Sequence, residues 1–243
     1  MARGYREPIE KPRRFYTAVD VAAEGGGFAV QLDHRPVRTP RGGHLVLPTR
    51  ALAELVAAEW ASQNETLEIA GMHATRLANT AIEAVPAARE GTADVVAGYA
   101  ASDLVCYFAE APSALVARQR EHWEPLLSQI ESEVKVAFIR AAGIVHQPQP
   151  EATLLRIKAI ALELDDFGLA GLAFGAALFG SAILAIALQR GWITGEQAFE
   201  LSRLDESWQE DQWGVDEEAA ERTARLLGES VMLDRWFRGL DAA

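Results

Sequence analysis

The stretch from Phe167 to Gln189 constrains this chain more than any other. It runs FGLAGLAFGAALFGSAILAIALQ, 23 residues without a formal charge, between Asp165-Asp166 and Arg190. As one helix it would span about 35 Å at roughly 1.5 Å per residue. So apolar a helix either crosses a membrane or forms the centre of a large core. The core reading is preferred. Gly168, Gly171, Gly175 and Gly180 let neighbouring helices approach closely. Neither end carries an aromatic belt or a strong basic cluster. The rest of the chain has an ordinary soluble composition, so the expectation is a buried helix and no membrane insertion.

A chain of 243 residues with 49% apolar content can bury such a core in one large or two modest domains. The net charge of −12 argues against nucleic acid as a partner, because phosphate binding needs a basic surface. The acid is unevenly placed. Residues 191–243 hold 13 Asp and Glu against 5 Arg, whereas residues 1–41 hold 8 Lys and Arg against 5 acids. Cys106 is the only cysteine, so neither an internal disulfide nor a cysteine zinc site can form, which fits a reducing compartment. The N-terminus lacks the apolar core of a secretory signal, and Glu7 and Glu10 do not suit an intact mitochondrial presequence. A bacterial cytoplasm is expected, with a trimmed mitochondrial matrix protein as the alternative.

Residues 1–14 read as a polar, basic arm. Between Phe15 and Leu47 the pattern is β. Phe15 to Val19 is strand-like, Gly25-Gly26-Gly27 is a hairpin tip, and Phe28, Val30 and Leu32 alternate with Ala29, Gln31 and Asp33. The triple glycine is not a phosphate loop, since it has no P-loop lysine and opens no helix. Thr49 caps a helix to about Ser62, with Trp60 on its apolar face, and a second helix covers about Thr75 to Ala84. On it, Arg76 and Asn79 lie three apart, placed to tie two domains together. Pro86 marks the boundary between a domain over 1–85 and one over 86–243.

Beyond Pro86 the periodicity is helical over 87–101, 113–134, 151–164 and 167–190. Asp103 to Phe108 is a β-rich exception, with Asp103 placed to cap or turn the chain. Residues 136–146 lean towards strand. Thr194-Gly195-Glu196-Gln197 is a capping box that opens a helix to about Gln212, stopped by Gly214. Asp216 caps a final helix whose first turn holds Glu217 and Glu218.

No set of residues assembles into a catalytic signature. His34, His44, His73, His122 and His146 include no pair at metal-ligand spacing, and Cys106 sits in an apolar run that suits an inert thiol. The one acidic cluster is Asp205, Glu206, Glu210 and Asp211, which reads as a solvated face, a protein-binding face or, as the enzymatic alternative, a Mg²⁺ site. Leu201, Leu204 and Trp208 line the other side of the same helix.

In order along the chain stand RFY at 14–16, LDHRPVRTP at 32–40, LPTRALAELVAAEW at 47–60, RLANTAIE at 76–83, SDLVCYF at 102–108 and SRLDESWQEDQWG at 202–214. With these pieces the chain resembles the ATP12 family of F1-ATPase assembly chaperones over nearly its whole length. The resemblance implies an α+β fold, with an N-terminal mainly β domain followed by a C-terminal helical bundle. It also implies binding to the free α subunit of F1 before that subunit meets β, no enzymatic activity and no cofactor. A monomer is expected when the protein is free. Family acids match Glu206 and Glu217, and Trp213-Gly214 matches the family's Trp-Gly pair; Val215 departs from the common Asn. The expected partner-binding residues are Arg76, Asp103, Glu206, Glu210, Trp213, Gly214 and Glu217.

Overall fold

A computed structural model describes residues 11–214 and 217–242, with the backbone alone at 217–219. Residues 11–14 lie antiparallel to 64–67. Arg14 donates its backbone N–H to the Glu65 carbonyl at 2.9 Å, and Leu67 donates to the Pro12 carbonyl at 2.8 Å. Strand β1 (Val19–Glu24) folds back through Gly25 and Gly26, both at positive φ, onto β2 (Gly27–Leu32). That is the two-residue hairpin that glycine favours. Strands β3 (Arg35–Pro36) and β4 (Val46–Leu47) both pair antiparallel with β2. The expected strand over Phe15–Val19 contributes only Val19 to β1. Thr17 and Ala18 instead donate their backbone N–H groups to the Asp33 carboxylate, at 3.1 and 2.8 Å, so the ladder starts later.

Helix α1 (Arg50–Ala61) is capped by Thr49, whose hydroxyl accepts from Leu52 N–H at 3.1 Å. Helix α2 (His73–Glu83) leads into α3 (Val85–Ala101), with Pro86 in the first turn, where its missing N–H costs nothing. The run after Asp103 is not the continuous strand its composition suggests. Leu104–Cys106 is a 3-10 turn, and only Tyr107–Phe108 (β5) is extended. After α4 (Ser113–Val134), the only strand in the 136–146 stretch is β6 (Ala141–Ala142), paired in parallel with β5. Helix α5 (Glu151–Glu163) follows. The sheet at the front and the helices behind it make the fold α+β.

The apolar run is two helices, not one. Helix α6 (Asp166–Phe179) ends at Gly180, which takes a left-handed φ of 63°, and α7 (Ala182–Gln189) starts afresh from Ser181. Left-handed glycine is a common helix stop, and Ser181 caps the new helix by accepting from Leu184 N–H. All of Ala182 to Leu188 is buried. Each buried Leu or Ile there contributes about 1.5–3 kcal/mol. Among the described residues no helix is long and apolar enough to cross a membrane.

Helix α6 packs among α2, α3, α7 and α10 (Glu217–Asp241). A Cβ on Gly171 would sit 2.9 Å from the Phe237 ring and 3.0 Å from Trp236. Glycine at that position therefore lets α10 press its aromatic side chains against the α6 backbone. Helices α8 (Gly195–Ser202) and α9 (Leu204–Trp213) complete the bundle. The capping box at Thr194 and Gln197 forms as read, but the expected helix to Gln212 breaks at Arg203, whose φ and ψ are −120° and 23°.

Candidate functional site

A cleft of about 600 Å³ opens between the α8–α9 pair, the start of α10 and the break between α6 and α7. One wall is α9. Leu204 turns inward and is buried, with Leu201 and Trp208 partly buried against the core. The acids then divide. Asp205 accepts from the Gln119 side-chain amide at 2.7 Å, and Gln119, itself fully buried, also takes the Ala109 N–H at 2.7 Å. Asp211 pairs with Arg118 at 3.0 Å. Glu210 accepts from Arg203 at 2.6 Å. Glu206 is exposed and has no ion-pair partner among the described residues. Three of the four carboxylates thus hold three different neighbours, and the fourth, Glu206, faces solvent. Among the described residues no group of three or more His, Cys, Asp or Glu side chains is placed to hold a metal ion. The enzymatic alternative for Asp205–Asp211 finds no converged ligand set here.

Trp213 stands at the end of α9 with 80% of its surface exposed. Gly214 follows at a φ of 84°, a conformation that other side chains rarely adopt, and ends the helix there. Glu206, Glu210, Trp213 and Gly214 all line the one cleft. Of the expected set, these four are brought together. Apolar contact surface comes from Phe199 and Leu178. Leu104 and Gly180 also line it, and Leu104 donates its backbone N–H to the Gly180 carbonyl at 3.2 Å. Neither Phe199 nor Leu178 was legible as a site residue, because each reads in sequence as ordinary core.

Asp103 lies under this floor and has no exposed surface. It was expected to face a partner; instead it works inside. Ser181 donates its hydroxyl to Oδ1 at 2.5 Å, the Ile183 N–H donates to Oδ2 at 3.0 Å, and the Val105 N–H donates to Oδ1 at 3.3 Å. One carboxyl therefore caps the 3-10 turn and also holds the first turn of α7. Burial pushes its pKa up to about 7 against the downward pull of these hydrogen bonds, Ser181 foremost. Burial also raises the pKa of the neighbouring Cys106 thiol, with the Asp103 charge adding to it, so the thiol is inert at neutral pH as expected.

Arg76 does not line the cleft. It is exposed and donates to the Ala70 carbonyl at 3.1 Å, within the same stretch of chain. Among the described residues Asn79 Oδ1 has no hydrogen-bond partner, and neither side chain hydrogen-bonds to residues 86–242; both line a groove of about 810 Å³ that Phe174 of α6 also lines. The side chains of Glu217 and Glu218, and Asp216 with its expected cap, lie outside the described residues.

A sequence-family model described as "ATP12 chaperone protein" matches residues 13–131. The crystal structure of Atp12 from Paracoccus denitrificans is 40% identical, covers 93% of this chain and 97% of its own, and superposes with a TM-score of 0.85. The Atu1473 protein of Agrobacterium tumefaciens is 39% identical, covers 94% of this chain and 86% of its own, and gives a TM-score of 0.88. Among curated proteins, the mitochondrial protein atp12 of Schizosaccharomyces pombe is 25% identical over 228 residues, 88% of this chain and 78% of its own. With the α+β fold and its cleft, these likenesses define the class as a chaperone. The chain belongs to the ATP12 family.

Proposed function

We propose that this chaperone serves ATP synthase assembly by binding the free α subunit of F1 and covering the surface that will later face β. A free subunit exposes such a surface before the ring closes, and that surface invites aggregation. A protein that binds this one state stabilises it by mass action and needs no chemical step. The observation that carries the reading is the α9 cleft: an 80% exposed Trp213 beside the outward-facing Glu206. A large exposed aromatic ring is a strong anchor for a protein partner. An adjacent unpaired acid attracts a basic patch and selects it. Glu210, Gly214 and Glu217 are assigned to the same contact, and Arg76 to a flanking one. The protein is assigned as a monomer when free, without a cofactor or enzymatic turnover, and acting in a bacterial cytoplasm. A processed form in the mitochondrial matrix is the alternative location.

The test is calorimetric titration of the full-length chaperone with purified F1 α subunit, free of β. One-to-one binding that weakens as salt rises is expected. Absence of any heat or co-elution at low salt, with folded α confirmed, defeats the reading.

A further inference from the structure

At a cavity that shares no lining residue with the α9 cleft, three of the sequence motifs meet. RFY, LDHRPVRTP and the end of the run closing in Trp60 surround a cavity of about 750 Å³. Phe15 forms one lip and is 73% exposed, an unusual setting for a phenylalanine beside a core. Pro36 and Val37 give apolar walls, and Arg35 and Arg38 lie at the rim. Trp60 closes the back. It is 8% exposed, and its own carbonyl is taken by the Tyr16 hydroxyl at 2.6 Å, with the two rings packed edge to face.

The charges around the cavity are specific. Arg35 has no ion pair among the described residues, and Arg38 donates only to the Gly42 carbonyl at 2.7 Å. Asp33 is the acid nearest them, and it is committed to the Thr17 and Ala18 N–H groups and the Thr17 hydroxyl. Those bonds, Ala18 first, hold its pKa below the usual carboxylate value. Guanidinium groups are donors only, so what meets Arg35 and Arg38 must bring acceptors. The apolar walls and the exposed Phe15 ask for an apolar side chain beside them.

We infer that this N-terminal cavity is a second docking point on the α subunit, taking a short extended segment that places an apolar side chain against Phe15 and Pro36 and a carboxylate on Arg35 and Arg38. The inference rests on α being the partner. It gives the chaperone a basic contact separate from the acidic one at the α9 cleft, in keeping with the uneven charge along the chain. Two separated contacts of opposite sign also fix the orientation of the bound subunit, which a single patch does not.

The test uses the full chaperone and the same free α subunit. The exposed double variant Arg35→Glu/Arg38→Glu is expected to weaken binding at least tenfold while its melting temperature stays within two degrees of the parent. A photo-crosslinking benzoylphenylalanine at position 15 is expected to label a segment of α that contains Asp or Glu. Binding within twofold of the parent in the double variant, or crosslinks confined to acid-free stretches of α, overturns this cavity as a docking point and leaves the α9 reading standing. Loss of binding by the unaltered chaperone defeats both.

Discussion

Asp103 and Glu206 are carboxylates beside one cleft, and they do opposite things. Asp103 lies beneath the floor with no exposed surface and accepts from Ser181, Ile183 and Val105. Glu206 lies on the wall, exposed, with no ion-pair partner among the described residues. Residue type says little about which role a carboxylate takes; its hydrogen-bond surroundings and its access to water decide. A buried carboxyl is kept because it organises backbone N–H groups that nothing else reaches. An exposed one contributes almost nothing to folding and is available to a partner.

The sharpest way to break this contrast is Asp103→Ala. It strands a buried hydroxyl and two buried N–H groups, at about 1–3 kcal/mol each, so a loss of roughly 3 kcal/mol or more is expected in urea unfolding. Glu206→Gln is expected to stay within about 0.5 kcal/mol of the parent in the same measurement. Equal losses would erase the distinction between floor and wall.

Next in size is Trp213→Ala. Stability is expected to be unchanged, because the ring is 80% exposed, while affinity for α falls by about 30-fold, as for a central anchor residue. Titration calorimetry reads the second number and thermal melting the first. A stability loss without an affinity loss would make Trp213 a packing residue after all.

A third test uses pH. Asp103 has a folded pKa of about 7, above the ordinary aspartate value of 3.8 that an unfolded chain approaches. Between those values the folded state holds a proton that the unfolded state has released. Its stabilising contribution is therefore fully present below about pH 4, and it is lost as pH rises towards 7. Asp103→Asn cannot titrate. The stability of the parent minus that of Asp103→Asn is expected to fall with rising pH across this window, by at most about 1.4 kcal/mol per pH unit, and then level off. A difference that is flat from pH 4 to 8 would show that the carboxyl is ionised throughout.

A modest effect belongs to Glu210. Its 2.6 Å pair with Arg203 is partly buried and sits where α8 breaks into α9. Glu210→Gln is expected to cost up to about 1 kcal/mol, an effect that shrinks in high salt. It would place Glu210 between the two extremes, part bracket and part surface.

Local chemistry was the legible part of this fold. The Gly25-Gly26 hairpin, the Thr49 cap, the Thr194–Gln197 capping box and the glycine stop at Gly214 all depend on residues within a few positions of one another. The α9 face was legible for the same reason, since Leu204 and Trp208 lie four apart on one helix and both turn towards the core. The β-rich look of Leu104–Cys106 misled because a side chain one residue earlier, Asp103, captures the Val105 N–H and winds the turn. The start of β1 was misplaced because Asp33, over a dozen residues away, took the N–H groups that a ladder would have used.

By itself the sequence determined that there is a buried, uncharged centre, a sheet ahead of helices, an acidic end and a basic end, because period, turn residues and charge act over short range. Only the tertiary structure decided that the centre is two helices. Seven apolar residues from Ala182 to Leu188 favour a continuing helix, and Gly180 alone merely permits a stop. The stop is made firm by the Asp103 carboxyl, nearly eighty positions earlier, which gathers the Ser181 hydroxyl and the Ile183 N–H into one buried knot. A hydrogen bond between distant residues in a dry interior is strong, and no local pattern announces it. The same long-range choice carried Asp103 away from the surface, while Glu206 and Trp213 stayed exposed.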